Sequence, residues 1–225
     1  MMDVSEPPIT SAPPPPQASS LEDVLPTMIE VLTDPRAFFS SMPREGGYES
    51  PGLFAVVMLM VNAVIAGVFA LLHLRVLGFV AALIVLPLFG AIGLAIGTII
   101  VLLLSRALKG EATLESSFRI VAYSAALLPL ATIAGVVPYL PILVDAYGIY
   151  IFIVAVITAH KVEEQRAWTV LGGMGAVVLL LALLATVTSR RVGPKLERLG
   201  HELERNAEQL KRAAEEMREQ GTAPP

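Results

Sequence analysis

Residues 53–72 read LFAVVMLMVNAVIAGVFALL, and after His73, Leu74 and Arg75 residues 76–104 read VLGFVAALIVLPLFGAIGLAIGTIIVLLL. Neither stretch carries a charge. A hydrocarbon core about 30 Å thick is crossed by roughly 17 to 25 helical residues, so the first run fits a single span. The second would be about 43 Å long as a helix. It reads as one long span that tilts, projects or bends where Pro87 is followed by Gly90, Gly93 and Gly97; a re-entrant hairpin is the alternative. Residues 120–137, 142–159 and 170–187 repeat the pattern. Lipid offers no water to a bare backbone, so each run must be helical, and run length without alternation excludes a β-barrel. The expected fold is all-α: a polytopic transmembrane helix bundle of about five spans.

Composition agrees. Of 225 residues 55% are hydrophobic and 16% charged, and the mean hydropathy is +0.69, which excludes an ordinary water-soluble enzyme. Sorted by position, residues 1–51 hold two basic and eight acidic side chains, residues 52–188 six and five, and residues 189–225 eight and seven. The net charge of −4 therefore comes from the amino end, not from the membrane segment.

The ends differ in kind. Residues 1–20 contain Pro7, Pro8 and Pro13 to Pro16, with neither a basic n-region nor an apolar core, and are expected to be a disordered tail, not a signal peptide. From Leu21 the pattern becomes helical: Leu21, Val24, Leu25, Met28, Ile29 and Leu32 recur at three and four residues. A second short helix is predicted after Asp34 as cap, with Pro35 at its first position and Phe38, Phe39 and Met42 before Pro43. Residues 21–51 are thus predicted to be amphipathic helices lying against the bilayer or the bundle. Beyond Pro194, residues Leu196, Leu199, Leu203, Asn206, Leu210, Ala213 and Met217 follow a heptad seam. Three readings fit: a solvated or self-packed helix, a parallel coiled coil joining two copies, and a membrane-surface helix, the last disfavoured by near-neutral charge.

Catalytic chemistry is sparse. The chain has no cysteine, its histidines (His73, His160, His201) read as isolated, and HExxH, Walker-A and GxSxG patterns are missing. No catalytic residue, metal site, cofactor or nucleic-acid partner is expected. Two polar residues in or near the apolar runs are candidates for a functional role: Asn62, near the middle of the first, and Asp145, near the start of the fourth. An amide at Asn62 is most simply paired with a neighbouring helix. Thr98, Ser124, Thr132 and Thr158 can bond back to their own helices. Gly90, Gly93, Gly97, Gly172, Gly173 and Gly175 suit close helix packing, and Tyr48, Phe54, Tyr139 and Trp168 read as belt aromatics.

The order of features resembles a known family. An acidic front end leads to DPRAFFSSM (34–42), GGYESP (46–51), two spans, the loop SRALKGEATLESSFRIVAYSAALLPL (105–130) and three more spans. This is similar to the YIP-domain family, five-span membrane proteins named for interaction with Ypt/Rab GTPases. The resemblance covers about residues 28–187 and rests on Pro35, Phe38, Phe39, Gly110, Phe118, Arg119, Tyr123, Ser124 and Pro129. The family often has a glycine pair where this chain has Lys109 and Gly110. The acidic Tyr-Gly-Pro motif of eukaryotic members is missing, and Asp145, Tyr147 and Gly148 do not replace it, because they fall in the fourth span. The composition resembles that of bacterial members, which implies the cell (inner) membrane and no Rab partner.

Internal loops place five positive residues (Arg106, Lys109, Arg119, Lys161, Arg166) on the side of the amino end and only Arg75 on the other, favouring a cytoplasmic amino end. Arg190 and Arg191 after the last span pull the opposite way. The leading expectation is a non-enzymatic multi-pass membrane protein of YIP type, acting in membrane organisation or as a scaffold, with possible self-association through the tail. A small transporter or channel using Asn62 and Asp145 is the alternative.

Overall fold

A computed structural model describes residues 20–221, without the side chains of 189–201, 210 and 212–221. The proline-rich stretch up to residue 19 and the side chains of Leu196, Leu199, Leu210, Ala213 and Met217 lie outside the described residues. Among those described all regular structure is helical and there is no strand. They fall into two compact units, dividing between Val177 and Val178.

The first unit begins with α1 (Leu21–Thr33), entered through a capping box in which Asp23 reaches back to Ser20. α2 (Pro35–Ser41) follows at once. The Asp34 carboxylate accepts the amide of Ala37 at 3.0 Å and Pro35 takes the first helical position, as the sequence predicts. α3 (Glu49–Leu72) and α4 (Val76–Ala107) are the two runs with which the sequence reading begins; they form an antiparallel pair packed along each other. α4 is a single helix of 32 residues, so the long run is one span and not a hairpin.

The third apolar run differs from expectation. It starts earlier, at Leu114, and ends at Ala134 instead of residue 137, and a turn at Ala125–Ala126 divides it into α5 (Leu114–Ser124) and α6 (Leu127–Ala134). Hydropathy missed the first turns because Glu115, Ser116, Ser117 and Arg119 are polar, yet Thr113 caps them: its hydroxyl accepts the amide of Ser116 at 3.1 Å. α7 (Leu140–His160) and α8 (Glu164–Ala167) follow. A π-helical turn at Trp168–Gly172 leads into α9 (Gly173–Gly221). Five helical segments are long and apolar enough to cross a membrane: Glu49–Leu72, Val76–Ala107, Leu114–Ala134, Leu140–His160 and Glu164–Thr188. The expected all-α polytopic fold is borne out.

The core of this unit gathers at one end of the bundle, where α1 and α2 pack against α5 and α7. Val24, Thr27 and Val31 of α1 face inward while Leu21, Leu25 and Ile29 are exposed. Tyr147 of α7 donates its hydroxyl to the Leu32 carbonyl, tying the α1–α2 corner to the flank of a span. Gly90, Gly97 and Gly175 serve interhelical contacts as expected: an added Cβ would lie 2.1 Å from Leu59 of α3, 3.1 Å from Val121 of α5 and 2.5 Å from Ile149 of α7, respectively. Gly93 and Gly173 do not, because a Cβ on either meets nothing within 4 Å. In the second unit, Leu203 and its neighbours from Glu202 to Gln209 are exposed.

The loop-side cap as candidate functional site

Three segments far apart in sequence meet at one end of the bundle: residues 42–48 before α3, residues 108–113 between α4 and α5, and residues 161–163 after α7. Helix ends bring them there, and each helix end leaves carbonyls that need partners. At the end of α4, Lys109 adopts φ 63°, the amide of Lys109 bonds Arg106 O at 2.9 Å, and the amide of Gly110 bonds Ser105 O at 2.8 Å. That is a Schellman closure with lysine in the left-handed position glycine usually fills. Lys109 thus stands, with φ 63°, where the family often has the first glycine of a pair. Gly110 itself has no side chain because none fits: a Cβ would lie 2.5 Å from Val162 and 3.0 Å from the carbonyls of His160 and Ser105.

The close approach lets the amide of Glu111 bond the last carbonyl of α7, at His160, at 2.7 Å. His160, read from sequence as isolated, is fully buried and engaged at both ring nitrogens: Nδ1 pairs with Ser105 Oγ at 2.7 Å and Nε2 with Ser116 Oγ at 3.0 Å. One side chain thereby joins α4, α5 and α7. Spacing could not reveal it, because its partners stand 55 and 44 residues away.

On the outer surface of the cap Glu111 accepts from Arg44 at 2.6 Å and from Lys161 at 3.2 Å. The hydrogen bond from Arg44, followed by that from Lys161 and its charge, holds the Glu111 carboxyl below its ordinary 4.5. Arg36 of α2 pairs with Glu164 at 3.0 Å. Being exposed, these pairs contribute little individually. Glu30 of α1 is pushed the other way, above 4.5, by burial and then by Asp34.

Beneath them lies a buried ion pair. Arg119, 1% exposed, donates from Nη2 to Gly47 O at 2.9 Å and to Glu115 Oε1 at 3.3 Å, while the same Oε1 accepts the amide of Gly47 at 2.7 Å. Gly46 and Gly47, at φ 134° and 85°, bend the linker around the guanidinium. Nε and Nη1 of Arg119 are buried without a partner among the described residues.

Most of the residues carrying the family resemblance lie at this end, and Ser124 and Pro129 stand deeper in the third span. Tyr123 stands at the centre of an aromatic cluster, 4.9 Å from Phe38 and 5.3 Å from Phe54 between ring centroids, with Phe39 against Phe38 at 5.2 Å. Its hydroxyl meets Ser50 Oγ at 3.3 Å. Pro35 and Pro129 are buried, Ser124 bonds back to Ile120 O at 2.7 Å, and Phe118 packs edge-on to Tyr48. Phe54 is fully buried and so is no belt aromatic, whereas Tyr48, Tyr139 and Trp168 are exposed as expected. A cluster built across α2, α3 and α5 consumed it, which hydropathy at a span end does not show.

The two polar candidates are not brought together by any described bond. Asn62 accepts a hydrogen bond from Thr132 of α6, which therefore reaches across helices and does not bond back to its own as expected. Thr98 and Thr158 do bond back, to Leu94 and Val154. Asp145 is exposed in the second turn of α7. Among the described residues no group of three or more acidic or histidine side chains could hold a metal ion.

Comparison with curated proteins and with solved structures returned no match. The Yip1 domain family model matches residues 29–186, most of the chain and the whole of the cap with the spans beneath it. With five candidate spans the chain is a multi-pass integral membrane protein, and it belongs to the Yip1 domain family.

Proposed function

We propose that the chain is a non-enzymatic membrane-organising or scaffolding protein whose working face is the loop-side cap. The observation that carries this reading is the use made of the polar groups there. His160 is occupied at both nitrogens inside the bundle, Arg119 and Glu115 clamp the backbone of Gly47, and Glu111 is shared by two cations. Such groups fix the mutual position of three loops and leave on the surface a fixed array of charges suited to a partner. Positive loops on this side support a cytoplasmic orientation, and the composition supports the inner membrane of a bacterium.

The test is functional reconstitution of the full chain. Proteoliposomes are expected to show neither turnover nor solute flux across a broad panel. Flux abolished by Asp145→Ala or Asn62→Ala would replace this reading with a transporter or channel. Single cysteines at Lys109 and Glu164, both exposed, probed in intact cells with an impermeant maleimide, are expected to be protected from outside and to react once the cells are opened.

Self-association through the tail is part of the proposal. Leu203 stands 69% exposed on a helix whose sequence carries a heptad seam. Leu203→Glu in the full chain is expected to lower the sedimentation mass in detergent; an unchanged mass removes this element.

A further inference from the structure

An apolar groove of about 430 Å³ runs between α3, α4 and the start of α5. Its floor is made by small residues, Gly52 and Ala55 of α3 and Ala91 and Ala95 of α4, and Tyr48 with Phe118 closes it towards the cap. Thr98 lines it but donates its hydroxyl to Leu94 O at 2.7 Å, so its donor is already spent within the helix. Water needs two to four polar partners to occupy a site, and these walls do not supply them. From Ala91 to Ile99 the groove follows α4 for about 12 Å of rise, close to the depth of one leaflet of a hydrocarbon core about 30 Å thick. Since α3, α4 and α5 belong to three membrane spans, the groove opens into hydrocarbon.

Charge decides which lipid suits it. Around the cap Arg36, Arg44, Arg119, Lys161 and Arg166 each pair with a glutamate. Arg106 and Lys109, at the end of α4, are exposed and make no ion pair among the described residues. Arg106 lies seven residues beyond Ile99, on the same helical stripe and about 10 Å further toward the headgroups. Its Nε is anchored on the carbonyl of Ala112 at 3.3 Å, two residues before Leu114 of the groove wall. An anchored guanidinium is well suited to a phosphate oxygen.

We propose that this groove holds an acyl chain of an anionic glycerophospholipid from the loop-side leaflet, with the lipid phosphate on Arg106. Hydrocarbon against the small-residue walls restores the dispersion contacts an empty groove would forfeit, and the headgroup phosphate supplies a counter-charge for Arg106, which has no ion pair among the described residues.

The test is native mass spectrometry of the full chain released from micelles holding equal amounts of dioleoylphosphatidylglycerol and dioleoylphosphatidylcholine. The wild type is expected to retain phosphatidylglycerol about fivefold over phosphatidylcholine, the discrimination one basic residue gives at an anionic surface. Arg106→Gln should bring the ratio near one while lipid is still bound. Filling the groove from either wall, by Ala95→Phe or Gly52→Leu, should lower retention of both lipids. A Cβ on Gly52 meets nothing within 4 Å, so that variant decides the matter if Ala95→Phe fails to fold. The proposal is overturned if the preference survives Arg106→Gln, or if Gly52→Leu retains lipid like the wild type. It is equally overturned if groove filling dissociates a dimer without altering lipid retention, which would make a second copy the occupant.

Discussion

Arg119 donates to the carbonyl of Gly47 across 72 residues of chain, and its partner Glu115 accepts the amide of the same glycine. One residue of the linker is therefore held through both its amide and its carbonyl by the Arg119–Glu115 pair on the first turns of α5. Arg119→Met removes the donor and leaves Glu115 partly buried and half-compensated. Breaking such a pair from one side costs about 3 kcal/mol. The expected outcome is a matching loss of unfolding free energy in detergent, with faster proteolysis between residues 43 and 48. Unchanged cleavage there would show that the linker is held by other contacts.

Gly110 should tolerate no side chain. Gly110→Ala drives a methyl group against Val162 and two carbonyls, an overpacking that costs about 1 to 3 kcal/mol. Thermal unfolding of the purified protein measures it, and Val162→Ala in the same chain should recover part of the loss by vacating the nearest clash.

Lys109 and Leu74 offer the opposite result. Each holds a left-handed backbone conformation at the end of a span, with φ 63° and 56°. That conformation costs an L-residue roughly 1 kcal/mol or more that glycine does not bear. Lys109→Gly and Leu74→Gly are expected to stabilise by up to about 1 kcal/mol each, less the extra freedom glycine gains when unfolded. A fall in the midpoint for both would contradict the left-handed conformations at these two helix ends.

His160 is the third joint of the cap. His160→Leu leaves the buried hydroxyls of Ser105 and Ser116 without their partner, a loss of about 1 to 3 kcal/mol. A double-mutant cycle between His160→Leu and Ser105→Ala should give a coupling energy clearly above zero; strictly additive effects would place the two side chains apart.

The acid limb of the stability curve should report Glu111. Its folded carboxyl lies below the ordinary 4.5 because Arg44 and Lys161 donate to it, so the folded state binds its proton less readily than the unfolded chain. The contribution is therefore present above about pH 4.5 and lost as pH falls through the lowered value. Glu111→Gln should flatten that part of a midpoint-versus-pH curve and leave the neutral region little changed. Because the group is exposed the effect should also shrink in high salt.

Much of the fold is legible in residues 53–187, because lipid removes choice: an uncharged run of span length can only be a helix. The α2 start was equally legible, since the Asp34–Ala37 bond and Pro35 act over three residues. Legibility failed where polar residues begin a buried helix. Leu114 to Arg119 look like loop to a hydropathy window and are the capped start of the third span. The site was legible only as letters. Pro35, Phe38, Phe39, Gly110, Phe118, Arg119, Tyr123 and Pro129 can be matched in order to a family, but the order does not say that most of them form a core.

The sequence by itself determined what local physics imposes: five apolar segments, their helical state, the cap at α2, and an interior with little free charge. Only the tertiary structure decided that His160 meets Ser105 and Ser116, that Arg119 clamps Gly47, and that Thr132 turns to Asn62. The reason is geometric. These bonds join positions 44 to 72 residues apart, and such pairs meet only after the spans have chosen their neighbours. Neighbour choice depends on side-chain shape, small residues against large ones such as Gly90 against Leu59, because hydrophobicity cannot distinguish one apolar helix face from another inside a bilayer.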